Sequence, residues 1–328
     1  MSPPPILTLL ILTPLLGALA LAFTGAGDGR RARRVAVGAS LLTLLESLLL
    51  LTRFDPSSAG IQFAERLPWI PSLGVEYFVG VDGLNLLPVL LATLLTPLAL
   101  MISEPPSDRP RLYLALILML ESGLLGNFTA LNFFPWFLCW ELSLIPAWFL
   151  IRLWGGPGRQ AAASQFLLFT FVGSVALLLA FQVLYLSAHT FDLLRLAELA
   201  RQGELTRRLP AAFLWTGVEP KQFGLILFAG VFAGLALKIP VFPLHTWISD
   251  TYAEAPTGVT LMLTGALSKM GVYGMLRLLL PLFPAETRAL LGPLLLLTAV
   301  SIVLPALIAL AQTDLKRLLA YSSMNHLG

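Results

Sequence analysis

"LALKIPVFPLHTW", residues 235–247, sets a lysine, two prolines and a histidine inside a strongly apolar stretch. A run this apolar reads as a membrane helix, yet it holds Lys238 and then breaks itself. Proline removes a backbone donor and clashes with the preceding turn, so the helix is expected to stop between Lys238 and Pro243, with Pro240 and Pro243 as the breakers. Irregular backbone at membrane depth is tolerated only where it is buried in protein or lines a wet cavity.

Composition names the solvent. Of 328 residues, 57% are hydrophobic and 12% charged, and the mean hydropathy is +0.83. A soluble domain is about 45–50% apolar and about 25% charged. Too little polar surface remains to face water on all sides, so the chain belongs in a bilayer. The net charge of +3 is no argument for a nucleic-acid partner. The single cysteine, Cys139, lies in an apolar run, which excludes a disulfide framework and a cysteine-based metal site. The first apolar run lacks a small-residue cleavage site and is read as the first span.

A hydrocarbon core of about 30 Å takes roughly 20 apolar residues per helix. That ruler places spans near 4–23, 34–52, 84–103, 111–130, 132–151, 165–187, 222–240, 256–281 and 289–311, with a tenth opening at 315. The runs lack period-two alternation, so the expected fold is an all-α polytopic transmembrane bundle, with no strands. Arg30, Arg31, Arg33 and Arg34, then Arg152 and Arg159, then Lys316 and Arg317 fall on one side if the spans alternate. The positive-inside rule makes that side cytoplasmic. The amino terminus then lies outside, together with segment 53–82, which carries Glu65, Glu76 and Asp82. Segment 188–221 is also outside and reads as a surface amphipathic helix.

Six ionisable residues fall within spans: Glu46, Glu121, Glu141, Lys238, Lys269 and Arg277. A charge at a helix centre costs about 2.5–3.5 kcal/mol, so such residues usually face the bundle or water and mark a pathway. Glu46, alone among leucines, reads as lying near a helix end or pairing with a neighbouring subunit. Arg277 is close enough to a span end to snorkel. Glu141 sits roughly 14 Å into its span and Lys269 roughly 20 Å into its own, both near the middle of the membrane. Local sequence offers Glu141 no partner, which leaves the two buried lysines. Burial works against the charged form of either group and a nearby opposite charge restores it, so a movable pair can switch a proton on and off. Carbonyls freed by the break are expected to accept from the Lys238 ammonium or from water.

Four stretches, "FVGVDGLNLLPVLLATLLTPLAL" (78–100), "WELSLIPAWFLIRLWGG" (140–156), "LKIPVFPLHTWISDTYAEAPTGVTLMLTGALSKMGVYGMLR" (237–277) and "QTDLKRLLAYSSMNHLG" (312–328), resemble the antiporter-like membrane subunits of respiratory complex I, the M-type in particular. The resemblance runs from about residue 76 to the last. It implies that Glu141 pairs with Lys238, that Lys269 continues a central hydrophilic axis, and that His326 is a water-linked relay. His245 matches the family's histidine after the break; its alternative is a capping or loop hydrogen bond. It also implies inverted five-helix repeats. On that scheme residues 1–110 hold helices 1–3, residues 111–283 form the first repeat, and residues 284–328 begin the second.

The implied function is proton translocation within a complex I-type NAD(P)H or ferredoxin:quinone oxidoreductase. NADH, FMN, iron–sulfur clusters and quinone are expected in partner subunits, with no cofactor or metal in this chain. Other membrane subunits, including adjacent antiporter-like ones, are the expected partners. A bacterial plasma membrane is the expected location, a thylakoid or other energy-transducing membrane the alternative. An Mrp-type cation/proton antiporter subunit and a non-pumping scaffold are the alternative functions. Two departures stand out. The chain is shorter than the family's usual fourteen spans, which reads as a partial sequence or truncated gene product. Glu121 lies outside the family pattern, and adds a proton station or pairs with a lysine of an adjoining subunit.

Overall fold

The computed structural model describes residues 5–25, 29–205, 207 and 217–328. Helices α1 (Ile6–Ala22), α2 (Gly29–Arg53), α3 (Leu86–Ile102), α4 (Pro110–Thr129), α5 (Phe133–Trp154) and α6 (Arg159–Ala188) form the first part of the bundle. The short α7 (Leu193–Arg201) follows, then α8 (Pro220–Lys238), α9 (Thr246–Glu254) and α10 (Thr257–Leu282). The chain continues through α11 (Pro284–Ala289), α12 (Leu291–Leu310) and α13 (Leu315–Leu327). Helices α2, α4, α5, α6, α8, α10 and α12 are long and apolar enough to cross a membrane. α1 and α3, at 17 residues each, span about 25 Å at 1.5 Å per residue. The ten expected spans therefore correspond to α1–α6, α8, α10, α12 and α13. The amphipathic helix expected within 188–221 is α7; residues 206 and 208–216 of that segment lie outside the described residues.

α4 is the central post. Every residue from Leu120 to Ala130 is buried, and the helix packs on α1, α2, α3 and α5. Gly123 lets α5 approach: a Cβ there would lie 2.7 Å from the Ser143 backbone nitrogen. The same device joins α6 to α8, where a Cβ on Gly234 would lie 2.7 Å from the Gly173 carbonyl oxygen. Lipid tails are as apolar as leucine, so helices in a bilayer associate by close packing of this kind. The exposed leucines of α2, such as Leu41, Leu45 and Leu49, form its lateral face.

The expectation of no strands is corrected by a two-stranded antiparallel hairpin, β1 (Gln62–Ile70) with β2 (Val75–Val81). Segment 53–82 carries a strand signal besides its charges. Its β-branched and aromatic residues favour strands, and Pro71 and Gly74, the latter at φ +61°, make the turn. The hairpin works as a clasp. The Glu65 carboxylate accepts the free backbone N–H groups of Leu7 (2.7 Å) and Thr8 (3.1 Å) and the Thr8 hydroxyl, so a strand caps α1. Arg66 bridges Glu76 (2.6 Å) and Asp192 (3.0 Å), the residue that caps α7. Replacing Glu65 by Ala uncaps α1 and should lower stability by about 1–2 kcal/mol in a thermal or denaturant melt, and Glu65→Gln by less.

Backbone contacts sort the loops onto two faces. Segments 62–81, 130–132 and 191–193 bond to one another: Leu131 N donates to the Phe78 carbonyl, and Leu193 N to the Leu131 carbonyl. On the other face Arg111 donates to the Thr24 carbonyl (2.6 Å), Arg33 to the Met101 carbonyl (2.6 Å) and Trp154 Nε1 to the Asp108 carbonyl (3.1 Å). Glu254 there accepts from Gly158 N at 2.8 Å. The loops that carry Arg33, Arg111 and Arg159 thus share one face, as alternation of the spans requires.

Candidate functional site

α8 ends at Lys238, and α9 begins only at Thr246. Pro240 and Pro243 lie between them, so the break falls on the prolines that the sequence singled out. Lys238 is 2% exposed and its Nζ has no hydrogen-bond partner. The ammonium lies 4.7 Å from the ring centroid of Trp140, a cation–π contact. Trp140 is itself fixed, by its Nε1–H donating to Ser174 Oγ (3.0 Å) and by stacking on Trp136 at 4.9 Å. Glu141, the next residue of α5, is within electrostatic reach of Lys238. Its Oε1 is buried without a partner. No ion pair within 4 Å joins the two among the described residues. The lysine rests on an aromatic face beside the carboxylate, not in its grip.

One carbonyl at the break has a side-chain partner: the Leu237 carbonyl accepts from the Trp247 indole at 3.1 Å. That bond pins α9 under the end of α8. Phe242 N donates to Ser301 Oγ of α12 at 3.1 Å, which holds the break from the far side. His245 sits at the start of α9 and makes no capping bond. Its Nδ1 is buried without a partner, and its ring lies 5.4 Å from that of Phe242.

Lys269 lies just beyond a π-helical turn, Leu263–Leu267, in α10. Widening the helix by one residue frees carbonyls from the regular ladder, and Lys269 Nζ donates to the Thr264 carbonyl, five residues back, at 2.7 Å. The side chain lines a cleft of about 440 Å³ between α10 and α13, together with Thr260, Thr264, Lys316, Ser323 and His326. The structure therefore brings Lys269 and His326 to one cleft, although 57 positions separate them in the chain.

Three side chains escaped the sequence reading. Lys316, counted only as a loop charge, lines the cleft and donates to the Ala255 carbonyl (2.7 Å) and the Ala253 carbonyl (3.3 Å) at the end of α9. Its place one residue into a helix capped by Asp314 was the available signal. Trp140 and Trp247 looked like ordinary core, and nothing in their spacing says that one faces an ammonium and the other caps a broken helix. Arg277 is one half of a paired charge, a structural role. It donates to both Asp82 carboxylate oxygens at 2.7 Å and to the Tyr273 hydroxyl at 3.1 Å. Glu121 meets neither lysine of the site; its neighbours are Thr96 of α3 and Glu46 of α2.

A multi-span helical bundle in which one helix, α8, breaks beside a buried lysine has the architecture of a membrane transporter. Residues 130–328 match the family described as "NADH:quinone oxidoreductase/Mrp antiporter, TM", and the chain belongs to that family. It is 39% identical to the NADH-quinone oxidoreductase subunit M of Rhodobacter capsulatus, over 98% of this chain and 62% of that protein. Its fold matches a chain of respiratory complex I from Thermus thermophilus with bound NADH at a TM-score of 0.81 and 31% identity, covering 98% of this chain and 62% of that one. It also matches the fold of a chain of the Mrp complex from Dietzia, at a TM-score of 0.78 and 23% identity, covering 98% of this chain and 33% of that one. The chain thus spans less than two thirds of the length of these relatives.

Proposed function

We propose that this chain translocates protons as a membrane subunit of a complex I-type NAD(P)H or ferredoxin:quinone oxidoreductase. The observation that carries the reading is Lys238: a lysine without a hydrogen bond, sealed at the broken end of α8 beside Glu141. A proton held on Lys238 answers to the charge of Glu141 through space; the two lie beyond 4 Å, where at an effective dielectric near 20 the interaction stays below about 4 kcal/mol. Lys269 and His326 carry the path onward through the α10–α13 cleft, and His245 stands at the turn between the two lysines in the chain. Residues 111–283 form the repeat that holds the Glu141–Lys238–Lys269 series, and 284–328 open the second.

Electron transfer, with its NADH, FMN, iron–sulfur clusters and quinone, belongs to partner subunits, and neighbouring antiporter-like chains supply the electrostatic drive. The arginine-rich face lies toward the cytoplasm of a bacterial plasma membrane, and the hairpin and amino terminus lie outside.

Replacing Glu141 by Gln in the assembled complex tests the reading. The proton-to-electron ratio should fall while the redox centres stay intact, since Gln keeps the shape and removes the charge. An unchanged ratio sinks the proposal. Transport that requires sodium would favour the cation/proton antiporter within the same family.

A further inference from the structure

Two clefts adjoin at the start of α4, far along the chain from the lysines of the site above. One, of about 480 Å³, lies between the end of α1 and the start of α4, with Ala18, Ala22, Leu112, Ala115, Arg109 and Arg111 in its lining. Pro110 borders the second, of about 460 Å³, together with Arg30 and Arg33 of α2. Among the described residues no carboxylate lines either cleft.

Two of the four guanidinium groups are fixed in place. Arg111 donates one N–H to the Thr24 carbonyl at 2.6 Å, and Arg33 donates one to the Met101 carbonyl at 2.6 Å. These bonds anchor them at the ends of α1 and α3, yet each uses only one of five donors. Among the described residues neither group belongs to a salt bridge. Capping of helix ends accounts for the two bonds and leaves the charges uncompensated. Arg109 adds a third charge. Its contact with Asp108, at 3.6 Å, joins two largely exposed side chains, a kind of pair that is worth little.

The inner end of the first cleft is apolar. Ala115 lies one turn beyond Arg111, and Ala18 one turn before Ala22, so the groove runs about 6 Å from the arginines toward the hydrocarbon. Its three alanines leave open a space between two helices that larger side chains would fill, and Leu19 and Leu112 are exposed beside it. A ligand that satisfies both ends has an anionic head where the helices leave the membrane and an apolar tail that reaches inward. Guanidinium forks match phosphate oxygens. A zwitterionic head group brings a cation as well, which the four arginines repel.

We propose that the groove between α1 and α4 binds an anionic phospholipid, with its phosphate on Arg109 and Arg111 and an acyl chain along Ala18 and Ala115. Arg30 and Arg33, across Pro110, select for net negative charge on the head group. Basic pockets between membrane helices hold anionic head groups in this way. The site requires only that these helices span a bilayer, and stands independently of what the chain transports.

Photo-crosslinking of the native complex, purified from its own membranes into phosphatidylcholine vesicles, tests it. The probe is phosphatidylglycerol with a diazirine in one acyl chain, and phosphatidylcholine with the same chain is the control. After illumination and mass spectrometry, the anionic probe should label residues 18–22 and 111–115 about fivefold more than the control. Ala115→Phe, which fills the groove, should abolish that label. Arg109→Gln should lower it by about fivefold, and because Arg109 holds no helix end this variant tests the charge even if Ala115→Phe fails to accumulate. Equal labelling by the two probes, or unchanged labelling in either variant, overturns the proposal. So does absence of lipid label at these residues, the result expected if a neighbouring subunit covers the groove. Displacement of the label by inorganic phosphate would mark a site for free anions and overturn the lipid.

Discussion

Lys238→Met should stop proton transport by the assembled complex and leave the protein folded. Methionine matches the length and apolar bulk of the lysine stem, and the ammonium that it deletes makes no hydrogen bond. What is lost is a cation–π contact with Trp140. What is saved is the desolvation of the buried ammonium, which offsets the lost attraction to Glu141, a carboxylate that it does not hold in an ion pair within 4 Å among the described residues. A melt should therefore show little change, while the initial pumping rate should drop below about one tenth of wild type, a barrier increase of about 1.4 kcal/mol or more. Lys238→Arg sharpens the result. Guanidinium keeps the charge and the aromatic contact but does not release its proton, so a relay fails with arginine just as with methionine. A static ion pair would instead survive that change. Wild-type pumping in either variant would remove Lys238 from the mechanism.

The largest stability effect should come from Arg277→Met or Asp82→Leu alone. The pair is bidentate, with side-chain exposures of 10% and 18%. Breaking a buried pair from one side leaves an uncompensated charge, at a cost of about 3–5 kcal/mol. Asp82 is also built into the turn that starts α3: its backbone N–H donates to Asn85 Oδ1 at 2.8 Å, and its own Oδ1 accepts from Leu84 N at 3.0 Å. Losing Asp82 should therefore cost more than losing Arg277. The double variant Asp82→Leu, Arg277→Met should recover part of the loss, because neither charge is then stranded. A double-mutant cycle in denaturant melts measures the coupling, expected at the upper end of about 0.5–3 kcal/mol. Additive effects would mean that the two side chains do not depend on each other.

Some of this architecture was legible in the residues alone. Span positions follow from one local quantity, the length of apolar chain that a bilayer requires, so α4, α5, α8, α10 and α12 fell where the ruler put them. The break at Pro240 and Pro243 was equally local, because proline acts on its own turn. The hairpin was not legible in this way: its two short strands sit between long apolar helices, and their pairing depends on a turn and not on any span length. The caps were hidden for a different reason. Glu65 lies 58 residues from the Leu7 amide that it holds, and its role depends on where a strand happens to lie over a helix end.

Residue order alone makes this chain a helical membrane protein, breaks α8 beside a lysine, and carries the ionisable side chains of Glu121, Glu141, Lys238 and Lys269 into the bilayer. Each of those follows from the cost of placing a given side chain, or a given backbone bend, in hydrocarbon. What those groups face is set by packing. Trp140 under Lys238, Trp247 on the Leu237 carbonyl, His326 and Lys316 in the cleft of Lys269, and Asp82 on Arg277, 195 positions away, all depend on how helices rotate and pack against one another. That rotation is set by many small contacts spread over the bundle, such as Gly123 against Ser143 and Gly234 against Gly173, and no single stretch of chain contains it.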